Sequence, residues 1–362
     1  MDKTRIAIIG AGGIANSHAK SYLQMEDVEI VAAADICEGK ARQFLDTHGL
    51  EAAKDYVDAR ELLDDAKPDA VSVCTYNSTH AECAIASLEH GCHVLLEKPM
   101  TVTLEEALAV RSAEKKSGKI VSVGFQPRYD DRMKKIKEIA QGGSLGKIYY
   151  VQTGGGRRRG IPGRTFIEKS LAGAGALADI GCYGLDLALN SIGHPKPLTV
   201  SASAYGLFGR NPKYTKPEDA ARFTVDDFSC AMIRLEGGIT LDFRMSWAMH
   251  MDTMGATIFL GTEAGLKVEP TPGLWGGAWD GSCGDATLFH DYMGMPTYTP
   301  IPLPDLKQDR FFLKCRDFVD AVRQNLPAPI PTSEIIYNQA IIDGIIRSSA
   351  LGREVSVEFN EQ

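Results

Sequence analysis

The chain predicts an α/β protein in two parts. A doubly wound parallel sheet comes first, and an α+β part with a large, mostly antiparallel open sheet follows. Three observations predict this. Apolar strand-like runs alternate with helical stretches up to residue 123, the rhythm of parallel β-α-β units. The first run, Arg5–Gly10, enters a glycine-rich turn and then a helix. After residue 197, β-type runs succeed one another without intervening helices, which predicts antiparallel pairing.

The opening turn, Gly10-Ala11-Gly12-Gly13-Ile14-Ala15, reads Gly-x-Gly-x-x-Ala. The first glycine permits the tight turn, the second lets backbone approach a pyrophosphate, and Ala15 keeps the helix close to the strand. The helix Asn16–Gln24 then offers its N-terminal N–H groups to phosphates. The second strand, Val28–Ala34, ends in Asp35. A carboxylate there bonds the ribose hydroxyls of NAD and repels the 2′-phosphate of NADP. Ile36-Cys37-Glu38-Gly39 follow without a cation, and Lys40 and Arg42 come shortly after. Strand, turn, helix and acid together identify a Rossmann dinucleotide-binding domain, with NAD favoured over NADP.

The alternation continues through helices at Lys40–His48 and Ala59–Ala66, the strand Ala70–Thr75, and a helix running to Glu89 that Gly91 ends. His80, at the head of that helix, could contact the cofactor, cap the helix or face solvent. The run His93–Leu96 reads as a buried strand that stops at Glu97-Lys98-Pro99, since proline has no N–H for the ladder. Ligands of open α/β sheets bind beyond the carboxyl ends of strands. A lysine half out of water there can have its pKa lowered and act in proton transfer; alone, it is equally a solvated strand end. Leu104–Ser117 is a helix, Gly118 its stop, and Ile120–Val123 a strand.

Gly124-Phe125-Gln126-Pro127-Arg128-Tyr129 marks the crossing into the second part. A helix (Asp131–Gln141), a loop and the strand Lys147–Thr153 lead to Gly154–Gly156 and Arg157-Arg158-Arg159. This arginine cluster could clamp an anion or a polyol, or be a solvated loop or subunit contact. In Gly173–Asp186 small residues let a helix start tightly against a neighbour. Asp179 and Tyr183 are i and i+4 and share a face if the segment is helical, so both could address one bound hydroxyl. The structural alternative is an acid favoured by the helix dipole and a core tyrosine. The β-runs are Thr199–Ala204, Asp227–Arg234, Ile239–Trp247, Thr257–Gly261 and Gly265–Glu269, with Glu236-Gly237-Gly238 as a hairpin turn. Trp247-Ala248-Met249-His250-Met251 and Trp275-Gly276-Gly277-Ala278-Trp279 could line a sugar pocket or belong to the core. Leu306–Asn325 and Ser333–Ala350 read as helices.

Composition bounds the partners. The 362 residues carry a net charge of −8 and a pI near 5.6, which argues against nucleic-acid and anionic-membrane surfaces. No apolar run reaches the ~18 residues of a membrane span, and no cleavable signal pattern opens the chain. Eight cysteines (37, 74, 83, 92, 182, 230, 283, 315) stand without Cys-x-x-Cys spacing. They read as reduced core residues of a cytoplasmic protein, with no metal site expected.

Taken together, Gly10-x-Gly12-x-x-Ala15, Thr75-x-Asn77-x-x-His80, Glu97-Lys98-Pro99, Gly124-Phe125 leading to Arg128, and Asp179-x-Gly181-x-Tyr183-x-x-Asp186 resemble the Gfo/Idh/MocA family of nicotinamide-dependent oxidoreductases over nearly the whole chain. The resemblance implies a catalytic role for Lys98 and Asp179. Tyr183 stands where most members have an acid/base histidine; a tyrosine there is also seen in the branch resembling glucose–fructose oxidoreductase and dimeric dihydrodiol dehydrogenase. It implies cofactor contacts from Gly10, Gly12, Gly13, Ile14, Ala15, Asp35, Thr75, Asn77, His80, Glu97, Lys98 and Gln126. Substrate contacts are expected from Lys98, Arg128, Arg157, Asp179, Tyr183 and His250. A sugar, polyol or glycoside oxidised at a ring secondary hydroxyl, no catalytic metal, and a homodimer or homotetramer built on the open sheet faces are also implied. The alternatives are an NAD-recycling glycosidase and a non-catalytic nicotinamide-binding regulator. The expected domains are 1–125 for NAD, 126–332 for substrate and oligomerisation, and 333–362 as a helix and tail returning to the first domain.

Overall fold

The structure, a computed structural model, describes residues 3–251, 254–270, 283–304 and 309–359. It divides into two compact units: Met1–Gln126 with Gln308–Ile336, and Pro127–Lys307 with Tyr337–Glu361.

In the first unit, strands β1 (Thr4–Ile9), β2 (Val28–Ala34), β3 (Lys54–Tyr56), β4 (Ala70–Val73), β5 (His93–Leu96) and β6 (Val121–Val123) alternate with helices α1 (Gly13–Tyr22), α2 (Lys40–Thr47), α3 (Ala59–Ala66), α4 (His80–Glu89) and α5 (Leu104–Ser117). The strands pair in parallel in the order β3-β2-β1-β4-β5-β6. This is the order of a dinucleotide-binding Rossmann sheet, and its direction reverses between β1 and β4, where such sheets bind their ligand. β4 and β5 are almost wholly apolar and buried, as strands covered on both faces must be. β3 does not follow from the sequence: Lys54-Asp55-Tyr56 is a polar, three-residue edge strand without apolar periodicity. α5 is fixed by a capping box, Thr103 with Glu106, and ends at Gly118 in the left-handed region,.

The second unit opens with α6 (Asp131–Gln141) and β7 (Ile148–Gly156). There follow a short helix α7 (Lys169–Ala172), one π turn (Leu177–Gly181), α8 (Cys182–Ser191), β8 (Pro197–Tyr205), α9 (Pro217–Arg222), β9 (Phe228–Leu235), β10 (Ile239–Ser246), β11 (Thr257–Gly261), β12 (Ala264–Pro270), β13 (Cys283–Tyr292) and β14 (Met295–Ile301). The chain closes with α10 (Arg310–Gln324), α11 (Thr332–Leu351) and β15 (Val355–Ser356). The nine-stranded sheet runs β14-β13-β12-β11-β7-β10-β9-β8-β15. Every pair is antiparallel except β7 with β10. Val151, Leu241, Phe243 and Ile233 on one face are fully buried, whereas Met232 and Phe289 are about half exposed. That alternation leaves one face of the sheet open.

Two expectations change. The piece that returns to the first unit is α10: Cys315, Phe318 and Val319 join the buried cluster of Ile6, Ile8, Ala15, Ala19 and Tyr22. Residues from Tyr337 onward lie in the second unit instead. There Asn338 Nδ2 donates to the Cys182 carbonyl at 2.9 Å, and β15 pairs with β8. α11 is apolar on most of its surface (Ile335, Ile336, Ile341, Ile342, Ile345 are all buried), so its pattern named no particular partner. The β13–β14 hairpin was also missed. Its turn holds Met293 and Gly294 at φ 52° and 78°, a pair of positive angles usually signalled by Asn-Gly, and β14 carries two prolines, as an edge strand can. The loop Trp275–Trp279 lies outside the described residues.

Candidate active site

At the reversal point of the first unit, Gly10 has φ 92°, and a Cβ there would come within 2.7 Å of the Cys74 carbonyl carbon and the Thr75 nitrogen. Only glycine lets β1 turn this close to the end of β4. Gly12 caps α1 without any side-chain bond to its N–H groups, so the helix presents free donors and its positive end. Gly13 is exposed with nothing within 4 Å of a Cβ, Ile14 is half-buried, and Ala15 is fully buried beneath them. Asp35 closes the far side. Its Oδ2 accepts from Ala11 N at 2.9 Å and Lys40 Nζ at 2.8 Å, and Oδ1 accepts from Cys37 N at 3.0 Å. Burial pushes this carboxyl up, but the bonds from Lys40 and the two backbone N–H groups outweigh it and hold the pKa below the usual range. A carboxylate has about four acceptor positions, so one remains for a ribose hydroxyl. A glycine turn, an open helix end and an ionised acid with a spare lone pair fit a dinucleotide. Thr75 and Asn77, in the loop after β4, are half-buried at the same sheet edge, and Gln126 is buried just after β6.

Lys98 follows β5, half-buried, in a cis Lys98–Pro99 unit. The side chains of Glu97 and His80 are buried and engaged by protein partners. His80 is 1% exposed. Its Nδ1 lies 2.8 Å from the Pro99 carbonyl and Nε2 lies 3.3 Å from the Thr75 carbonyl. A neutral imidazole has one N–H, and the shorter contact assigns it to Nδ1. Burial, the largest effect, keeps His80 neutral. It therefore clasps the loops after β4 and β5 from below.

Glu97 is 4% exposed. Its Oε1 accepts from Lys314 Nζ, on α10, and lies 2.8 Å from His18 Nε2, on α1. His18 Nδ1 is 3.1 Å from Ser72 Oγ, which is 2.7 Å from the Tyr22 hydroxyl. With the Nε2 hydrogen directed at Glu97, the chain runs Tyr22 O–H to Ser72, Ser72 O–H to His18 Nδ1, and His18 Nε2–H to Glu97; Lys314 Nζ, also 2.9 Å from His18 Nε2, then donates to Glu97 and not to the imidazole. Burial pushes Glu97 up, but Lys314 and His18 overcome it and hold the carboxyl far below its ordinary value. Burial and the neighbouring Lys314 ammonium push His18 down to about 4. Gly124 is glycine for the same cluster: a Cβ there would meet Glu97 Oε1 at 2.7 Å.

In the second unit the segment across Asp179 and Tyr183 is a π turn that passes into α8. Such widened turns recur at functional positions. The small residues seat it as expected. A Cβ on Gly175 would lie 1.9 Å from the Asp226 carbonyl, and one on Gly181 2.9 Å from the Phe243 ring. Buried Asp226 accepts from Gly175 N, Leu177 N and Ser229 Oγ at 2.7, 2.9 and 3.0 Å. Asp179 is half-buried, and its Oδ2 accepts from Trp247 Nε1 at 3.0 Å. Tyr183 is 7% exposed. Trp247 is entirely buried, so it anchors Asp179 and does not stack on a sugar.

Arg128 is engaged by side chains of its own unit. It forms a fork with Asp186 (Nε to Oδ2 3.0 Å, Nη2 to Oδ1 2.7 Å) and meets His194 Nε2 at 2.9 Å. Its charge thus anchors α8. Arg157 Nη1 donates to the Gly160 carbonyl at 2.8 Å. His250 is exposed, its ring 5.0 Å from Phe208 and 5.8 Å from Tyr214.

Comparison with known proteins decides what these features belong to. Residues 4–125 match the oxidoreductase family with an NAD-binding Rossmann fold, and residues 133–267 match the Gfo/Idh/MocA C-terminal domain. The chain belongs to the Gfo/Idh/MocA family. It is 34% identical over 271 residues to the D-glucoside 3-dehydrogenase of Escherichia coli K12, which covers 70% of this chain and 77% of that protein. It is 32% identical over 211 residues to the scyllo-inositol 2-dehydrogenase (NAD+) of Bacillus subtilis 168, covering 58% of this chain and 59% of that one. Levoglucosan dehydrogenase in complex with NADH and levoglucosan shares its fold, with a TM-score of 0.81, 21% identity, and coverage of 98% and 100%.

Within this Gfo/Idh/MocA chain, the residues that sequence reasoning missed are Lys314, His18, Trp247 as the partner of Asp179, and Asp226. His18 is the sixth residue of α1, three after Ala15, yet only its burial reveals its partner. Among the described residues no group of three or more His, Cys, Asp or Glu side chains could hold a metal, and no helix is long and apolar enough to cross a membrane. None of the eight cysteines is in a disulfide, and Cys37 is exposed.

Proposed function

We propose that this chain is an NAD-dependent dehydrogenase that transfers hydride between the nicotinamide and a ring secondary alcohol of a sugar, polyol or glycoside. The carrying observation is the Asp35 cradle, intact and bonded, in a chain one-third identical to a D-glucoside 3-dehydrogenase over most of its length. NAD, when bound, supplies the hydride acceptor. The remaining work falls to this chain. Gly10, Gly12, Gly13, Ile14 and Ala15 receive the pyrophosphate, Asp35 the adenosine ribose, and Thr75, Asn77, Lys98 and Gln126 the rest of the cofactor. Tyr183, or Lys98 with it, removes the hydroxyl proton. Asp179, oriented by Trp247, positions the ring hydroxyl, with Arg157 and His250 among the substrate contacts. Arg128 acts through Asp186 on the helix that carries Tyr183.

The test is absorbance at the NADH band with purified protein, NAD or NADP, and a panel of inositols, aldoses and simple glucosides. A substrate-dependent rise with NAD, lost in Lys98→Met, is expected. No rise with any member, despite tight NAD binding, overturns the reading. Free sugar released from a glycoside without net NADH would instead mean cleavage with NAD recycled in place. The same reading takes the protein as a cytoplasmic homodimer or homotetramer joined through the open face that carries Met232 and Phe289. A solution mass of 39.2 kDa by light scattering, the mass of one chain, refutes that assembly.

A further inference from the structure

Because β7 and β10 are parallel neighbours, Gly156 pairs with Ser246 and the loops that follow both strands leave the sheet at one edge. Arg157 N donates to the Ser246 carbonyl at 3.0 Å and Met249 N to the Arg158 carbonyl at 3.3 Å, so the two loops run side by side. Arg159 Nη1 donates to the Met249 carbonyl at 2.9 Å, and Nη2 lies 3.3 Å from His250 Nδ1. The guanidinium carbon stands 4.9 Å from the centre of the Phe208 ring and 4.7 Å from that of Tyr214. Those rings are 4.8 Å apart and tilted by 40°. Asp227 fixes the loop beneath them, its Oδ2 accepting from Phe208 N at 2.6 Å and Gly209 N at 2.7 Å.

This is a preorganised cationic box, and its rim is basic. Lys213 is exposed with its Nζ 5.2 Å from the centre of the Tyr214 ring, and Arg158 and Arg210, next in sequence to Arg159 and to the Phe208–Gly209 loop, are exposed as well. Among the described residues, no carboxylate stands within 4.0 Å of Arg158, Arg159, Arg210 or Lys213. In a chain of net charge −8, cations not paired with carboxylates contribute a positive field there, although Asp227 lies beneath the loop. The box and Asp179 are linked along the chain: His250 is three residues beyond Trp247, whose Nε1 bonds Asp179.

We propose that Arg159, with Arg158 at the rim and Tyr214 as the stacking face, forms an anion subsite for a carboxylate or phosphate group carried by the sugar that is oxidised. This deepens the proposed function and rests on it: the ring hydroxyl is held at Asp179, and the charged substituent at the box. Nη1 is committed to the Met249 and Arg158 carbonyls, which leaves Nε and the second Nη2 hydrogen as the edge of the guanidinium that meets either oxyanion in a bidentate way.

The experiment is calorimetric titration of the full chain, saturated with NAD, with glucose, glucuronate, glucose 6-phosphate and inorganic phosphate, alongside NADH formation from each sugar. At least one anionic sugar should bind about tenfold or more tighter than glucose, the range of a charged hydrogen bond. The preference should weaken with salt, fall to within about twofold in Arg159→Gln, and fall partway in Arg158→Gln, a change at an exposed residue that spares folding. Glucuronate and glucose 6-phosphate separate carboxylate from phosphate. Equal binding of glucose and both anionic sugars, or a preference that survives in Arg159→Gln, overturns the subsite. So does inorganic phosphate binding as tightly as glucose 6-phosphate, which would show an ion site without a sugar. Turnover of neutral sugars with no anionic preference refutes the subsite alone. The predicted preference in binding with no NADH from any sugar refutes the dehydrogenase reading and leaves the subsite standing.

Discussion

Replacing Lys314 by Met tests the buried cluster beneath Lys98. The side chains of Lys314 and Glu97 are 0% and 6% exposed. Burial alone would lower the lysine's pKa, but the attraction of Glu97 outweighs it and keeps the ammonium charged. Methionine matches the lysine stem in length and removes the charge. It leaves the Glu97 carboxylate buried with His18 and the Lys98 N–H, the latter 3.3 Å from Oε2. Breaking a buried pair by removing one partner costs about 3–5 kcal/mol, while replacing both by neutral groups is often near neutral. A unit of roughly 150 residues loses about 2–4 °C of Tm per kcal/mol, so Lys314→Met should melt roughly 6–20 °C below wild type. Glu97→Gln combined with Lys314→Met should recover most of that loss. Thermal unfolding by circular dichroism, with urea unfolding to confirm the sign, completes the double-mutant cycle. A Lys314→Met protein melting within about 2 °C of wild type would refute the reasoning, as would a double variant no more stable than the single one.

Tyr183→Phe should lower turnover by roughly 10²–10⁴, the range of general acid–base catalysis, with NAD affinity nearly unchanged; an unchanged rate removes Tyr183 from the chemistry. Asp35→Ser should weaken NAD more than NADP, because it removes the ribose acceptor and frees the Lys40 ammonium, now 2.8 Å from Asp35, to meet a 2′-phosphate. Titration with both cofactors checks this, and equal losses would mean Asp35 does not read the ribose. Stability should fall as pH drops from about 6.5 to about 4. Burial holds His18 and His93 down to about 4 in the folded chain, whereas the unfolded chain takes up those protons near 6.5. The unfolded state therefore binds more protons across that window, and the buried His18 alone contributes on the order of 3 kcal/mol. Melting temperatures that stay level from pH 7 to pH 4.5 would contradict it.

What was legible in the sequence was what repeats or punctuates locally. The rhythm of β1 to β6, the turn at Gly10, the acid at Asp35 and the run of small residues before Tyr183 each answer to a short-range steric rule, and the structure places them accordingly. β3 escaped because three polar residues at a sheet edge carry no period, and the β13–β14 turn because Met293 occupies a left-handed position that asparagine usually marks. Glu97, His80 and Arg128 stand among the expected ligand contacts, and Trp247 is left open between pocket and core, because polar and aromatic residues beside a motif look alike whether they face outward or inward. Their burial depends on partners far along the chain. Glu97 and Lys314 are 217 positions apart, and no local pattern joins them.

That separation has a consequence for how the protein is made. Synthesis delivers about 5–20 residues per second, so Lys314 emerges roughly 10–40 s after Glu97. During that interval every strand of the parallel sheet is already outside the ribosome, yet its central carboxylate lacks the ammonium that makes its burial tolerable. Until α10 is made, Glu97 lacks the ammonium that it pairs with in the folded chain. Residues 127–307 of the second unit are made within that interval, whereas β15, the last strand of its sheet, follows α10.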